Sequence, residues 1–403
     1  MEKNKKVPKL RFPEFTGEWE EKKLGEIAEI VTGNTPPTAN NEYYNGECLF
    51  VSPYDINGNR FVEQTRTTLT ILGFSKGRKI RAGSSLFVCI GSTIGKVAQN
   101  KVECVTNQQI NSVIPYENYS DDFVYTLLEK DSLCIKILAA EQAVPIINKT
   151  TFSNYTALVP VFSEQTKIAT FLTAVDEKLT QLKKKKTLLE QYKKGIMQKL
   201  FSQELRFKDN NNQDFPVWQE KTLGEISDVR DGTHESPQYY DYGFPFITSK
   251  NLLKDGNIDF DNVSYINEHD FNRFNFRSKV DVNDILFAMI GTIGNPVLVS
   301  KDGFAIKNVA LIKEKGNLLN IFLIHYMKGP SINQQFFEQN TGGTQKFLSL
   351  SVIKNLIVAV PSLPEQQKIA TFLSSIDEKI SHSSAQIEKM ETWKKGLLQQ
   401  MFV

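Results

Sequence analysis

Residues 89–97 read CIGSTIGKV and hold two glycines and a lysine in one short turn, the ingredients of a phosphate cradle. A nucleotide loop of the Gly-x4-Gly-Lys-Ser/Thr kind wraps phosphates in backbone N–H groups and offers magnesium a hydroxyl. Here only Ser92, Thr93 and Ile94 separate Gly91 from Gly95, and Val97 stands where the hydroxyl belongs. Downstream, residues 289–297 read MIGTIGNPV, the same turn with Gly291 and Gly294 and no lysine. A cation that disappears on repetition is not holding a phosphate. Both turns are therefore expected to be strand-to-strand connections, with a backbone–phosphate contact as the alternative.

Other catalytic sets fail on spacing. A methyltransferase that flips adenine holds the base in an Asn/Asp-Pro-Pro-Tyr/Phe loop. NTPPT (34–38) interposes a threonine, and NPV (295–297) lacks the second proline and the aromatic. EEK (20–22) and DEK (176–178 and 377–379) offer the letters of a nuclease E-x-K, but both DEK runs fall in helical pattern, where Glu–Lys neighbours are expected to be solvated pairs. Cys48, Cys89, Cys104 and Cys134 form no C-x-x-C pair, and four scattered histidines have no metal-ligand spacing. The expectation is a non-catalytic chain that binds no metal or cofactor itself, in a reducing cytoplasm.

What remains is binding. Polar residues in the punctuating loops are the candidates for DNA contact: Asn34, Thr35, Lys76, Arg78, Lys79, Gln108, Gln109, Asn111, Asn148 and Lys149 in the first half. In the second half they are Thr233, His234, Ser249, Lys250, Asn251, Lys307, Asn308, Thr344, Gln345 and Lys346. Asn and Gln suit adenine, Arg suits guanine, and lysines and backbone amides more often hold phosphate. For each of them a solvated loop residue is the competing reading. The net charge of +2 makes any such contact a matter of local patches. The tract Lys183–Lys186 reads as a solvated helix face, or as a phosphate contact.

The elements that carry these loops are written twice. FTGEWEEKKLGEIAEIVTG (15–33) returns as NQDFPVWQEKTLGEISDVRDG (212–232), matching Trp19 with Trp218 and Leu24–Ile27 with Leu223–Ile226. EQTKIATFLTAVDEKL (164–179) returns as EQQKIATFLSSIDEKI (365–380). A period of roughly 200 residues is a duplicated domain plus helix, too long for a solenoid. At 403 residues, 40% apolar and 23% charged, each half can bury its own core, and no apolar run approaches a membrane span. Residues 20–160 and 220–361 show short apolar runs (SSLFVCIG, DILFAMIG, NLIVAVP) broken by Gly, Pro, Asn and Asp, which predicts a mixed α/β (α+β) globule.

Each globule leads into a long helix. Apolar residues at Ile168, Leu172, Val175, Leu179 and Leu182, and at Ile369, Leu373, Ile376, Ile380 and Ile387, keep a heptad seam. Lys186, Lys193 and Lys394 interrupt it, with Ser383, and are expected to fix register at some cost in stability. Two helices packed separately, each on its own domain, are the alternative. The second globule follows the first helix through a short linker (202–221) and feeds the second helix, so the two helices are expected to run antiparallel. About 36 residues of helix span about 54 Å. The segments are 1–163, 164–202, 203–363 and 364–403, with a pseudo-twofold between the halves. Globules that share a scaffold but differ in their loops suit a bipartite, asymmetric stretch of duplex DNA.

The paired EQ-x-KIATFL…DEK…KKG helices, the LGEI domain starts and the closing VPSLPEQ (360–366) resemble the specificity (S) subunit of type I restriction-modification systems over essentially the whole chain. The resemblance implies two target recognition domains, each followed by a conserved helix, the helices packed antiparallel as a coiled coil. It also implies partners: double-stranded DNA, two modification (methyltransferase) subunits and two restriction (translocase/nuclease) subunits. S-adenosylmethionine, ATP and magnesium would belong to those partners. A coiled-coil adaptor without DNA binding, and the recognition half of a split methyltransferase or nuclease, are the other readings.

Overall fold

The structure is a computed structural model that describes residues 6–139, 144–290, 295–339 and 348–403, the side chains of 337 and 339 excepted. By internal contacts the chain forms two compact units, Met1–Lys185 with Ser383–Val403, and Lys186–His382. Division by chain order, at 163, 202 and 363, differs from this: each unit takes its own globule, the start of the helix that follows it and the end of the other long helix.

In the first unit a five-stranded sheet runs in the order Ala28–Thr32, Ile110–Pro115, Ser85–Val88, Val97–Asn100, Phe61–Val62. Beside it lies a four-stranded sheet in the order Thr67–Leu69, Tyr44–Val51, Cys104–Thr106, Lys79–Ile80. The second unit repeats the plan. Its four-stranded sheet is ordered Asp228–Asp231, Val309–Lys313, Ile285–Ala288, Val297–Leu298, and its three-stranded sheet Ser264–Ile266, Phe244–Thr248, Ala305–Lys307. A parallel pairing is kept between the units: Val51 sits opposite Thr106, and Ile247 opposite Ile306. The opening and closing strands of each globule also pair, Glu20–Lys23 with Thr156–Val159 and Gln219–Thr222 with Ile357–Val360.

The apolar runs form central strands because both faces of the sheet are covered. With a period of two, Phe87 and Val113 enter one core while Leu86 and Val88 enter another on the opposite face. Ile285 and Phe287 separate from Leu286 and Ala288 in the same way. LGEI forms one helical turn whose glutamate closes a capping box, Lys23 N donating to Glu26 Oε2 at 2.8 Å and Thr222 N to Glu225 Oε2 at 2.9 Å. The Gly91–Gly95 turn joins Ser85–Val88 to Val97–Asn100, with Gly95 N bonded to Val88 O and Gly91 at φ 94°. That is the connection expected. Gly291 and Gly294 lie outside the described residues.

The long helices are Phe162–Phe201 and Leu363–Met401. In the first unit Ile168, Leu172 and Val175 share a core with Leu397, Met401 and Phe402. In the second, Ile369, Leu373 and Ile376 share one with Met197, Leu200 and Phe201. In both units the start of one helix meets the end of the other, the antiparallel sense. Leu182 is also buried, while Leu179, Ile380 and Ile387 are half-buried. The seam is tightest where the globule's own core adds to it, so the expected coiled coil and the separate-packing alternative each describe part of what holds the helices.

Candidate nucleic-acid interface

The repeated Glu-Gln pair fastens each long helix to its globule. Arg11 clamps the fully buried Glu164 through Nε and Nη2, both at 2.7 Å, and Trp19 Nε1 donates to it at 3.3 Å. In the second unit Arg206 does the same to Glu365 at 3.1 and 2.8 Å, with Trp218 at 3.0 Å. A bidentate guanidinium satisfies a carboxylate that burial would otherwise penalise heavily. Gln165 bonds Pro160 O and the Ser120 amide, and Gln366 bonds Pro361 O and the Leu319 amide. Sequence reasoning passed over the arginines, although Leu10-Arg11-Phe12 and Leu205-Arg206-Phe207 repeat as plainly as the motifs it used.

The seam lysines are all paired. Lys394 is buried between Glu129, at 2.5 Å, and Asp176, at 2.7 Å. Arg60, also buried, reaches Asp176 at 3.3 Å, Asp122 at 2.5 Å and Gln99 at 3.0 Å, and lies over the Tyr125 ring at 4.6 Å. Burial raises the Glu129 carboxyl above the usual carboxylate range, although the Lys394 ammonium pulls it down. A cavity of about 250 Å³, lined in part by Leu179, opens over this network. Lys193 holds Asp377 at 2.5 Å, and Lys186 lies 3.8 Å from Glu190. The glutamates and lysines of both DEK runs are exposed, whereas Asp176 is buried because the antiparallel helix brings Lys394 over it, and Asp377, paired with Lys193, stays half exposed. Of the tract Lys183–Lys186, Lys183 pairs with Glu391 at 2.8 Å.

In the first globule three separated loops converge where strand Ala28–Thr32 ends. Asn34 accepts from the Arg78 amide at 2.7 Å and donates to Lys76 O at 3.1 Å. Arg78 Nη1 reaches Thr32 O at 2.6 Å, and Thr35 donates to Gln108 at 2.7 Å. Lys79 is adjacent and exposed. Gly33 permits the approach: a Cβ there would lie 2.2 Å from Asn107 O. Gln109 bonds Asn107 at 3.0 Å and sits beside the 89–91 turn, along which residues 145–147 run. Asn148 and Lys149 are exposed there, but Asn148 Oδ1 caps the next helix through the Thr151 amide at 2.8 Å. Asn111 does not belong to this surface. It is buried, bonded to Thr32 Oγ1 at 2.7 Å and Cys89 Sγ at 3.2 Å, because the strand register turns it inward. The Cys89 thiol beside it is pushed up to about 12 by burial.

The second globule builds the same corner with other residues. Thr233 N donates to Ile306 O, as Asn34 N does to Thr106 O, and Thr233 O also accepts from the Asn308 amide. His234 lies between Asn308 Oδ1, at 2.6 Å, and Asp231 Oδ2, at 3.0 Å. Ser249 donates to Asn308 O at 3.1 Å and Lys307 to Ser236 at 2.6 Å, with Lys250 exposed alongside. Asn251 is the second correction. Its Oδ1 accepts from the Thr248 amide and hydroxyl at 2.9 Å and its amide holds Asn262 O, so it is a buried turn brace. Thr344, Gln345 and Lys346 lie outside the described residues. Asp231 and Arg277, which form an ion pair under His234, were missed. Nothing in DVRDG marks the aspartate, since its role depends on a helix 46 residues away in sequence.

Among the described residues no group of side chains could hold a metal ion, and no helix is long and apolar enough to cross a membrane.

Comparison with known proteins matches this architecture. The profile of the family described as "Type I restriction modification DNA specificity domain" fits residues 16–191 and again 217–392. The chain is 24% identical over 409 residues to the type I restriction enzyme MjaIX specificity subunit of Methanocaldococcus jannaschii, covering 94% of this chain and 92% of that protein. It is 29% identical over 175 residues to the EcoR124I/EcoR124II specificity subunit of Escherichia coli, 41% of this chain and 43% of that one. Its fold is similar to the crystal structure of a type I restriction-modification S subunit from M. genitalium, with a TM-score of 0.65 at 17% identity over 98% of this chain and 99% of that one. The duplicated domain, the twin Glu-Gln junctions and the paired helices thus place this chain in the family of type I restriction-modification DNA specificity proteins.

Proposed function

We propose that this chain is the DNA-reading, non-catalytic subunit of a type I restriction-modification enzyme, in which each globule reads one half of a bipartite, asymmetric duplex target. One observation carries the reading. At the corner where the first strand of the larger sheet meets the end of strand Cys104–Thr106 or Ala305–Lys307, both units make the same backbone bond, Asn34 N to Thr106 O and Thr233 N to Ile306 O, yet the corner carries Asn34, Thr35, Arg78 and Gln108 in one and Thr233, His234, Lys307 and Asn308 in the other. A common frame with different hydrogen-bonding groups is what two different half-sites require.

On this reading the helix pair sets the gap between half-sites and docks two modification subunits, and two restriction subunits complete the enzyme. S-adenosylmethionine, ATP and magnesium act on those partners, and the assembly works in the cytoplasm, where host DNA lies. Exchanging residues 203–361 for the corresponding domain of a relative should change one half of the methylated motif and leave the other unchanged, read by methylome sequencing. Change in both halves would overturn the modular reading. Purified chain alone should neither methylate nor cleave, and saturation with modification subunits should give a mass of two per chain. A four-residue insertion near Ser202 or Leu363, about 6 Å of helix, should change the gap by about two base pairs and not the bases.

A further inference from the structure

Of the nine arginines in the chain, all but Arg66 and Arg78 pair with a carboxylate among the described residues. Both exceptions are exposed, and both stand at one end of the four-stranded sheet of the first unit. In that sheet Thr67, Phe50, Val105 and Lys79 form one row, and Val51 and Thr106 carry the two central strands a step further. The outer strands run the opposite way. Arg66 and Arg78, just before Thr67 and Lys79, therefore lie at the end where Thr106 meets the Asn34 corner. Arg78 is part of that corner. Arg66 lies across the sheet from it, three strand intervals or about 14 Å away. Its guanidinium lies over the ring of Tyr54, itself 70% exposed, at 4.6 Å, and makes no hydrogen bond or ion pair among the described residues. The neighbouring carboxylate of Asp55 is occupied. Its Oδ2 accepts from the Ser52 amide and hydroxyl at 2.8 and 2.7 Å, and its Oδ1 from the Arg66 amide at 2.8 Å.

The second unit keeps this turn and moves the charge. Asn251 braces Thr248 as Asp55 braces Ser52, which sets Lys250 in the place of Tyr54. Phe246 pairs with Ser264 as Phe50 does with Thr67, which sets Val263 in the place of Arg66. Lys250 is exposed. A cation is thus kept at this end in both units, on a different residue in each. Reading a base needs particular donors at a particular place, whereas holding a phosphate needs positive charge nearby. We infer that Arg66, held upright by Tyr54, contacts the DNA phosphate backbone in the first globule, and that Lys250 does so in the second. The inference rests on the proposed DNA-reading role and deepens it. The major groove is about 12 Å wide, so with the corner over the base edges a cation about 14 Å away falls on the strand that borders the groove. A guanidinium stacked on a ring keeps its N–H edge free for phosphate oxygens.

The test uses the full chain assembled with its modification subunits. Fluorescence anisotropy measures binding to a duplex carrying the methylated motif and to a scrambled duplex over a series of salt concentrations. A randomised duplex library, sequenced after methylation, gives the base preferences. Arg66→Gln should weaken binding to both duplexes by the same factor and lower the slope of log affinity against log salt by about 0.9, the value for one phosphate. Arg66→Lys should keep the slope. Tyr54→Ala should weaken binding to both duplexes while leaving the slope in place, since the charge remains. Lys250→Gln should lower the slope by the same amount as Arg66→Gln, and the double variant by about 1.8. The thermal midpoint and the methylated motif should stay those of the wild type throughout. A wild-type slope in Arg66→Gln would overturn the inference. So would an altered preference at one base of the first half-site, which would make Arg66 a base contact. A wild-type assembly that binds neither duplex fails the functional reading itself, a separate result.

Discussion

Replacing Lys394 by Met tests the claim that a charged seam position is held by its burial in the first unit. Methionine keeps most of the aliphatic stem and removes only the ammonium, which lies 2.5 Å from Glu129 and 2.7 Å from Asp176. Breaking a buried pair from one side costs about 3–5 kcal/mol, because the surviving charge stays out of water. Asp176 keeps Arg60, and Glu129 retains 30% side-chain exposure, so the expected loss is near the lower end, about 3 kcal/mol. The penalty should also depend on pH. Without the ammonium the Glu129 carboxyl, already raised by burial, rises further. The folded state then holds a proton that the unfolded state has released, so stability falls as pH increases above the ordinary glutamate range. The loss should be smaller at pH 5 than at pH 8. Adding Glu129→Gln should recover much of it, since the orphaned charge is gone. Urea unfolding of the full chain measures the loss, and amide exchange of helix Asp121–Ile137, which carries Glu129, localises it. A Lys394→Met chain within 0.5 kcal/mol of wild type (about the scatter of surface substitutions), or with equal loss at both pH values, would refute the reasoning.

Lys193→Met, its counterpart in the second unit, should cost only about 1 kcal/mol by the same measurement, because Asp377 is 47% exposed. His325, buried and bonded to Ser374 at 3.2 Å, is pushed down to about 4, first by burial and then by the Lys193 charge. The unfolded state therefore binds the proton first, and stability should fall as pH drops from about 6.5 to about 4, by up to about 3 kcal/mol. A His325→Gln chain should lose that part of the slope in pH-dependent unfolding. Glu365→Ala leaves Arg206 without its counter-charge and the Trp218 indole without its acceptor and should cost about 3 kcal/mol, localised by amide exchange to the start of the second long helix. Gly33→Ala would drive a methyl to within 2.2 Å of Asn107 O, so the loop must shift. The expected signature is a loss of about 1–3 kcal/mol together with weakened discrimination at the first globule's half-site in DNA-binding assays.

The duplication, the two-textured halves and the heptad seam were legible in the chain because each is a periodic demand: residues at i and i+200, at every second strand position, or at every third and fourth helical position face the same surroundings. The failure of the nucleotide and methyltransferase motifs was legible too, since such sites depend on fixed local spacing. Placement of individual polar residues was not. Asn111 and Asn251 carry the same amide as Asn34 and Asn308, yet the first two are buried braces. What separates them is strand register and the partner across a turn, which no local pattern encodes. The corner around Asn34 joins residues 32–35, 76–78 and 108, and that around His234 joins 231, 277 and 308; only tertiary pairing brings such positions within 3 Å. Asp176 shows the same division. Its place in DEK was visible in the repeat, but its burial beneath Lys394 and Arg60 was decided by two segments far away in sequence, because a charge leaves water only when the fold delivers its counter-charge.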